Sequence, residues 1–202
     1  MRIMANVYAL RGMIPVIDPT AFVHPTATLI GDVIVGPGVY VGPGASLRGD
    51  FGRLILEAGS NLQDNCIMHG LSDFDTVIEV DGHVGHGAIV HGARIGRNVL
   101  VGVNAAVMDY AEIGEDSVVA AMAFVKAKTI VPPRTMVAGI PAKPIRELTA
   151  KDRAWKAWGT REYQRLAEVC RESLVAAEPL TAVEADRVRD YVCIGEPELP
   201  AG

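Results

Sequence analysis

The sequence predicts a parallel β-helix followed by one long α-helix, and three observations carry that prediction. Aliphatic residues recur every six positions, a small residue falls four places after most of them, and past Pro144 the apolar period becomes that of an amphipathic helix. The chain divides accordingly into residues 1–144, a coiled β domain, and residues 145–202, a helix and tail.

The repeat begins at Ile17 and runs through Val23, Leu29, Val35, Val41 and Leu47. It resumes at Leu56, Leu62 and Met68, and again at Ile78, Val84 and Val90. After a five-residue step it continues unbroken from Ile95 through Val101, Val107, Ile113, Val119, Val125 and Val131 to Val137, making twenty rungs. The small positions include Ala21, Ala27, Ala45, Ser60, Cys66, Ala88, Ala105, Ala111, Ser117 and Ala123. One aliphatic and one small inward residue per six describe a short strand and a tight corner. Gly36-Pro37-Gly38 and Gly42-Pro43-Gly44 supply corner chemistry, Gly by allowing positive φ and Pro by presetting a turn. Three sides close a coil of eighteen residues, so twenty rungs build nearly seven coils. A β-sandwich would show irregular spacing of about 8 to 12 residues with polar alternation instead. The breaks after Leu47 and after Met68 are expected to be bulging loops.

Composition agrees with a repetitive aliphatic core. Half of the 202 residues are apolar, only 5% are aromatic, and Gly numbers 21. The net charge of −5 has the wrong sign for a phosphate-backbone binder, so nucleic acid is not an expected partner. No apolar run approaches the roughly 18 residues of a membrane span, and the N-terminus lacks a leader pattern. A soluble, cytoplasmic chain is expected. Cys66, Cys170 and Cys193 show no metal-thiolate or disulfide spacing and read as core or surface thiols.

Thr149 is an N-cap candidate, and Leu148, Trp155, Tyr163, Leu166, Val169, Cys170 and Leu174 follow helical spacing. The apolar stripe, Trp155 and Trp158 included, is expected to pack on the outside of the prism, with Gly159 a place for a bend. A second, weaker helical piece is expected around 184–192, followed by a mobile Pro-rich end.

All five histidines lie in the repeat. Counting rungs in threes puts Leu47, Met68 and Val90 on one face of successive coils, so Arg48, His69 and His91 form a vertical column. His69 and His91 could then share a metal ion. His86 belongs to the preceding face and stacks above Asp64, in a second column pointing elsewhere. In a threefold assembly the two columns can meet across an interface, which would also bring Arg48 of one chain towards Asp64 of the next. His24 and His83 read as hydrogen-bonded structural residues, and Arg48 with Asp50 as a local ion pair.

Arg48-x-Asp50, Gln63-Asp64-Asn65, His69 and Gly85-His86 through His91-Gly92 together resemble the γ-class carbonic anhydrase-like family, over residues 13 to about 148. The resemblance implies a left-handed β-helix and a homotrimer with one divalent metal per interface. It also implies His69 and His91 as ligands from one chain and His86 as the ligand from its neighbour. SLRGDFGR, NLQDNCIMHG, DGHVGH, PAKPIREL and AWKAWGTREYQ narrow the likeness to the phenylacetic acid degradation subfamily of the PaaY type, with the carnitine-operon CaiE type as near relative. That branch implies a thioesterase acting on acyl-CoA thioesters of phenylacetate catabolism. Carbonic anhydrase and hexapeptide acyltransferase activities are the alternatives.

Three neutral histidines suit Zn²⁺, with Fe²⁺ or Co²⁺ also compatible, and leave one position for a water whose pKa falls to about 7. Such a nucleophile attacks CO2 or a thioester carbonyl. Gln63 is the candidate to orient it, Asp64 and Arg48 to fix the interface, and Tyr163 to line the pocket from the helix. Fast CO2 hydration needs a proton relay, and here Phe51 and the short loop after His69 offer only Asp73 and Asp75. The departure favours slower thioester hydrolysis.

Overall fold

The computed structural model describes residues 5–188 and 190–192. The six-residue period is realised as a left-handed parallel β-helix of about seven turns, a three-sided prism with one C-terminal helix. Every rung from Leu29 to Val137 is buried, and Ile17 and Val23 at the first coil are half-buried against the same core. The thirteen small inward positions, Val33, Val39 and Val99 among them, are buried as well. The core is therefore a column of stacked aliphatic layers, each strand lending one large and one small side chain.

Strand register gives the coil lengths directly. Phe22 pairs with Tyr40, Tyr40 with Asn61, Asn61 with His83, His83 with Leu100, Leu100 with Val118 and Val118 with Met136, so successive coils take 18, 21, 22, 17, 18 and 18 residues. The two long coils are those that carry the breaks, and the coil of 17 absorbs the five-residue step.

The breaks differ from each other. The first is no loop: Ser46–Leu56 is one continuous strand that turns the corner between two faces against Thr28–Val35, with a register shift between Gly31 and Val33. Two faces of the prism consequently form one sheet. Leu54, which falls outside the six-residue count, is fully buried and fills the layer at this corner. The second break, between His69 and Thr76, is a loop pinched by a bridge between Leu71 and Phe74. The strand and this loop lie so close that a Cβ on Gly52 would collide with the Leu71 backbone carbonyl.

Helix α1, Ala150–Ser173, starts where Thr149 predicts. Thr149 accepts from the Asp152 backbone N–H, and the Asp152 carboxylate accepts from the Thr149 backbone N–H, a closed capping box. Arg146 grips the same carboxylate with two bonds of 2.7 and 2.9 Å, and these hydrogen bonds hold Asp152 well below the usual carboxylate range. Thr149→Ala removes one arm of the box and is expected to cost about 0.5–2 kcal/mol, read as a lower denaturant midpoint at unchanged slope.

The buried line of α1 departs from the expected stripe. It is Lys156, Thr160 and Ala167, with Tyr163, Leu166 and Cys170 beside them against Phe22 and Tyr40. Trp155 points outward at 53% exposure, because the prism surface beneath the helix offers polar backbone and Asn98 where a Trp would have to lie. Gly159 does not interrupt the helix. After Pro179 the chain makes turns and no helix within residues 181–188, where Thr181, Glu184, Asp186 and Arg187 leave no continuous apolar face to bury. Cys193 and the Pro-rich end lie outside the described residues. Among the described residues no helix is long and apolar enough to cross a membrane.

Candidate metal centre

The first column is built as stacking predicts. Arg48 pairs in register with His69 and His69 with His91; the two histidines end short strands while Arg48 lies early in Ser46–Leu56, and each follows the inward residue that anchors it, Leu47, Met68 and Val90, all fully buried. His69 Nδ1 stands 3.0 Å from His91 Nε2. The other nitrogen of each ring is held by a carboxylate: His69 Nε2 by Asp50 Oδ1 at 2.9 Å, and His91 Nδ1 by Asp109 Oδ1.

Those outer bonds decide what the inner nitrogens are. A carboxylate accepts, so His69 carries its proton on Nε2 and His91 on Nδ1. The facing nitrogens are then two lone pairs 3.0 Å apart, a contact that only a shared proton or a cation between them satisfies. Two nitrogens on one tetrahedral ion, each about 2.0–2.1 Å from it, lie about 3.4 Å apart. Carboxylates behind metal-binding histidines fix ring and tautomer in the same way. The donor set therefore fits a divalent metal.

Asp50 does more than pair locally. Its second oxygen accepts from Arg48 at 2.5 Å while the first holds His69. Burial works against its charge, but the hydrogen bonds from Arg48 and His69 keep its carboxyl below the ordinary range. Asp109 is the residue sequence reasoning missed. It stands eighteen positions after His91, one coil of the regular repeat above it, and carrying the column one rung further would have found it.

The second column is also present. His86 Nδ1 lies 2.6 Å from Asp64 Oδ2, and its Nε2 lies 3.3 Å from the Tyr163 hydroxyl. Tyr163 packs edge-on against His83 and Tyr40, and burial, reinforced by Asp64 and Cys66, pushes its phenol up to about 12. Gln63 is buried beneath them, its Nε2 within 3.0 Å of Asn61 Oδ1 and 2.7 Å of His83 Nε2. Within one chain the two groups stay apart. Arg48, His69 and His91 share one column with Asp50 and Asp109, while Gln63, Asp64, His86 and Tyr163 gather under α1. Among the described residues no three metal-ligating side chains of a single chain converge on one point.

The loop after His69 has its own engagements. Asp73 accepts from the Tyr110 hydroxyl at 3.1 Å. Asp75 faces a cavity of about 350 Å³ that Asp50, Phe51, Arg53, Asp32 and Met13 also line.

No protein-family model matches the chain. Carnitine operon protein CaiE from Proteus sp. is 58% identical over 91% of this chain and 93% of its own length. The Escherichia coli K12 protein of that name is 56% identical over 90% of this chain and 93% of its own length. A hexapeptide transferase family protein from Anaplasma phagocytophilum superposes with a TM-score of 0.78 at 34% identity, covering 83% of this chain and 98% of that one. These two relatives carry the carnitine operon name, and the phenylacetate link rests on the sequence motifs. The chain belongs to the CaiE family of hexapeptide-repeat proteins.

Proposed function

We propose that the protein is a metal-dependent hydrolase of acyl-CoA thioesters, working as a homotrimer with one divalent ion at each interface. The observation that carries this reading is the pair of imidazole lone pairs facing each other at 3.0 Å, each ring locked from behind by a carboxylate. His69 and His91 would hold the ion from one chain, and His86 from a second copy: Asp64 occupies its Nδ1, so Nε2, which within one chain contacts the Tyr163 hydroxyl at 3.3 Å, would exchange that contact for the ion. Zn²⁺ fits such a set, with Fe²⁺ or Co²⁺ able to replace it. When bound, a Zn²⁺ ion acidifies a coordinated water and polarises a carbonyl oxygen.

The chain's own residues supply the rest. Asp50 and Asp109 fix the ligand tautomers. Gln63 presents a carboxamide to orient the attacking water, and Tyr163 closes the site from α1. Beside the histidine column runs an outward apolar line, Ile67, Ile89 and Phe124, exposed at 45%, 36% and 36% in the single chain. A second copy covering that line would bring its Asp64 and His86 face to the column. The cavity beside Asp50 has room for an acyl group, far more than CO2 needs. Of the two loop carboxylates, Asp73 is tied to Tyr110 and Asp75 alone faces the cavity beside Asp50, a sparse relay for fast CO2 hydration, which favours the thioesterase over the carbonic anhydrase reading.

The acyl group follows one of two leads: aromatic from the motif resemblance, or the quaternary-ammonium acyl groups of carnitine chemistry from the names of the relatives. Purified protein loaded with Zn²⁺ is expected to release free CoA from members of a panel containing both kinds, and to lose that activity on chelation. No release from any member, with stoichiometric metal in a threefold particle, overturns the thioesterase assignment. CO2 hydration by the same sample would then pass the site to the carbonic anhydrase reading.

A further inference from the structure

His83 lies on a strand beneath α1, nine-tenths buried, and takes no part in either column. Its two ring nitrogens nevertheless join two elements. Nε2 stands 2.7 Å from Gln63 Nε2, and Nδ1 stands 3.4 Å from the Thr160 hydroxyl on α1. We infer that α1 fixes the orientation of the Gln63 carboxamide through Thr160 and His83, which makes His83 a positioning residue for the site. The inference rests on the proposed function only in assigning Gln63 to that site.

Donors and acceptors set the order of these contacts. Thr160 spends its proton on the Lys156 carbonyl one turn back, at 3.3 Å. Its oxygen then faces His83 as an acceptor, so the ring carries its hydrogen on Nδ1 and leaves Nε2 as a lone pair. A lone pair at Nε2 requires a donor, and only the amide end of Gln63 donates. The NH2 group satisfies His83 with one hydrogen and Asn61 Oδ1 with the other, which leaves Oε1 as the end free of both bonds. Oε1 accepts, which is what orienting a water by its proton requires.

The reversed amide is a complete alternative. It turns Oε1 to His83, requires the hydrogen on Nε2, and takes the Thr160 proton away from the helix carbonyl. With the Asn61 amide turned as well, since Asn61 faces Gln63 with its Oδ1, it would also give a partner to Asn61 Nδ2, the one buried side-chain nitrogen or oxygen among the described residues that lacks one. The choice between the two amide faces is thus made by a hydroxyl on α1, across the width of an imidazole. Burial, with Lys156 and His86 adding to it, holds His83 down at about 3, so the ring stays neutral and a tautomer, not a charge, carries the information.

The test is a pair of measurements on the full-length metal-loaded protein. Long-range proton–nitrogen spectra of the ¹⁵N-labelled chain at pH 7 are expected to show His83 protonated at Nδ1 alone. In Thr160→Val the Nε2–H form is expected to appear, while Thr160→Ser keeps the wild-type signature. Thioester hydrolysis in Thr160→Val is expected to fall roughly 10-fold in kcat with KM unchanged, and Thr160→Ser to restore it. A wild-type ring protonated at Nε2 overturns the inference without any variant having to fold. So does a Thr160→Val protein whose tautomer and kcat both match wild type. Wild-type protein that hydrolyses no thioester counts against the proposed function instead, and the two tautomer spectra still decide whether α1 sets the amide.

Discussion

Replacing His91 with alanine is expected to reduce bound metal to background and abolish thioester hydrolysis, while the prism stays folded. The side chain is half-buried at the edge of the column, and the layer beneath it is held by Val90, which the substitution leaves alone. Removing the imidazole removes one of the two facing lone pairs and leaves Asp109 without its partner. Asp109→Asn is the graded version. The amide still reaches His91 Nδ1 but no longer forces the proton onto it, so metal affinity is expected to fall about 10- to 100-fold. Elemental analysis after dialysis against a weak chelator ranks wild type, Asp109→Asn and His91→Ala in that order. Equal metal in all three would show that the ion, if any, binds elsewhere. Denaturation midpoints of the three read the fold separately from the site.

Much of the architecture is legible because the repeat is strict. A period of six fixes which residue faces inward, and stacking by coils then fixes vertical neighbours, so the order Arg48, His69, His91 and the pairing of Asp64 with His86 follow from counting alone. What escapes counting is where the period fails. The stretch between Leu47 and Leu56 looks like an inserted loop, yet it continues as strand because Thr28–Val35 beneath it bends at the same corner and offers a backbone to pair with. The helix announces itself by its cap and its period, but hydropathy misassigns its buried line. It places Trp155 inward and Lys156 outward, whereas the prism presents the Asp81 carbonyl and Asn98 Oδ1, which an ammonium satisfies and an indole cannot. His83 reads from sequence as a hydrogen-bonded structural residue, but its partners stay hidden for a related reason: Gln63 and Thr160 lie 20 and 77 positions away, and no spacing rule joins a helix to a coil.

Lys156 gives the second large effect, and its sign is set by burial. The side chain is 3% exposed, its ammonium held by the Asp81 carbonyl at 2.5 Å and Asn98 Oδ1 at 2.7 Å. Loss of hydration outweighs the attraction of Asp81 and Asp116 and lowers its pKa from an ordinary 10.5 to about 7. Between those two values the unfolded chain keeps a proton that the folded chain has released, so stability must rise with pH across that window. Below pH 7 both states are protonated and the slope from this group vanishes. Each tenfold loss of proton affinity on folding corresponds to about 1.4 kcal/mol, so the gain from pH 7 to pH 10 is on the order of several kcal/mol. Lys156→Met removes the titration and leaves two acceptors without a donor, which costs roughly 1–3 kcal/mol relative to the neutral amine present at high pH. The expected result is therefore a stability difference between wild type and Lys156→Met that moves steadily in favour of wild type from pH 7 to pH 10, because every other titrating group is common to both. Chemical denaturation at four or five pH values measures it. Parallel profiles would mean that the Lys156 ammonium keeps its proton in the folded protein, and that its contacts with Asp81 and Asn98 repay the water it gives up.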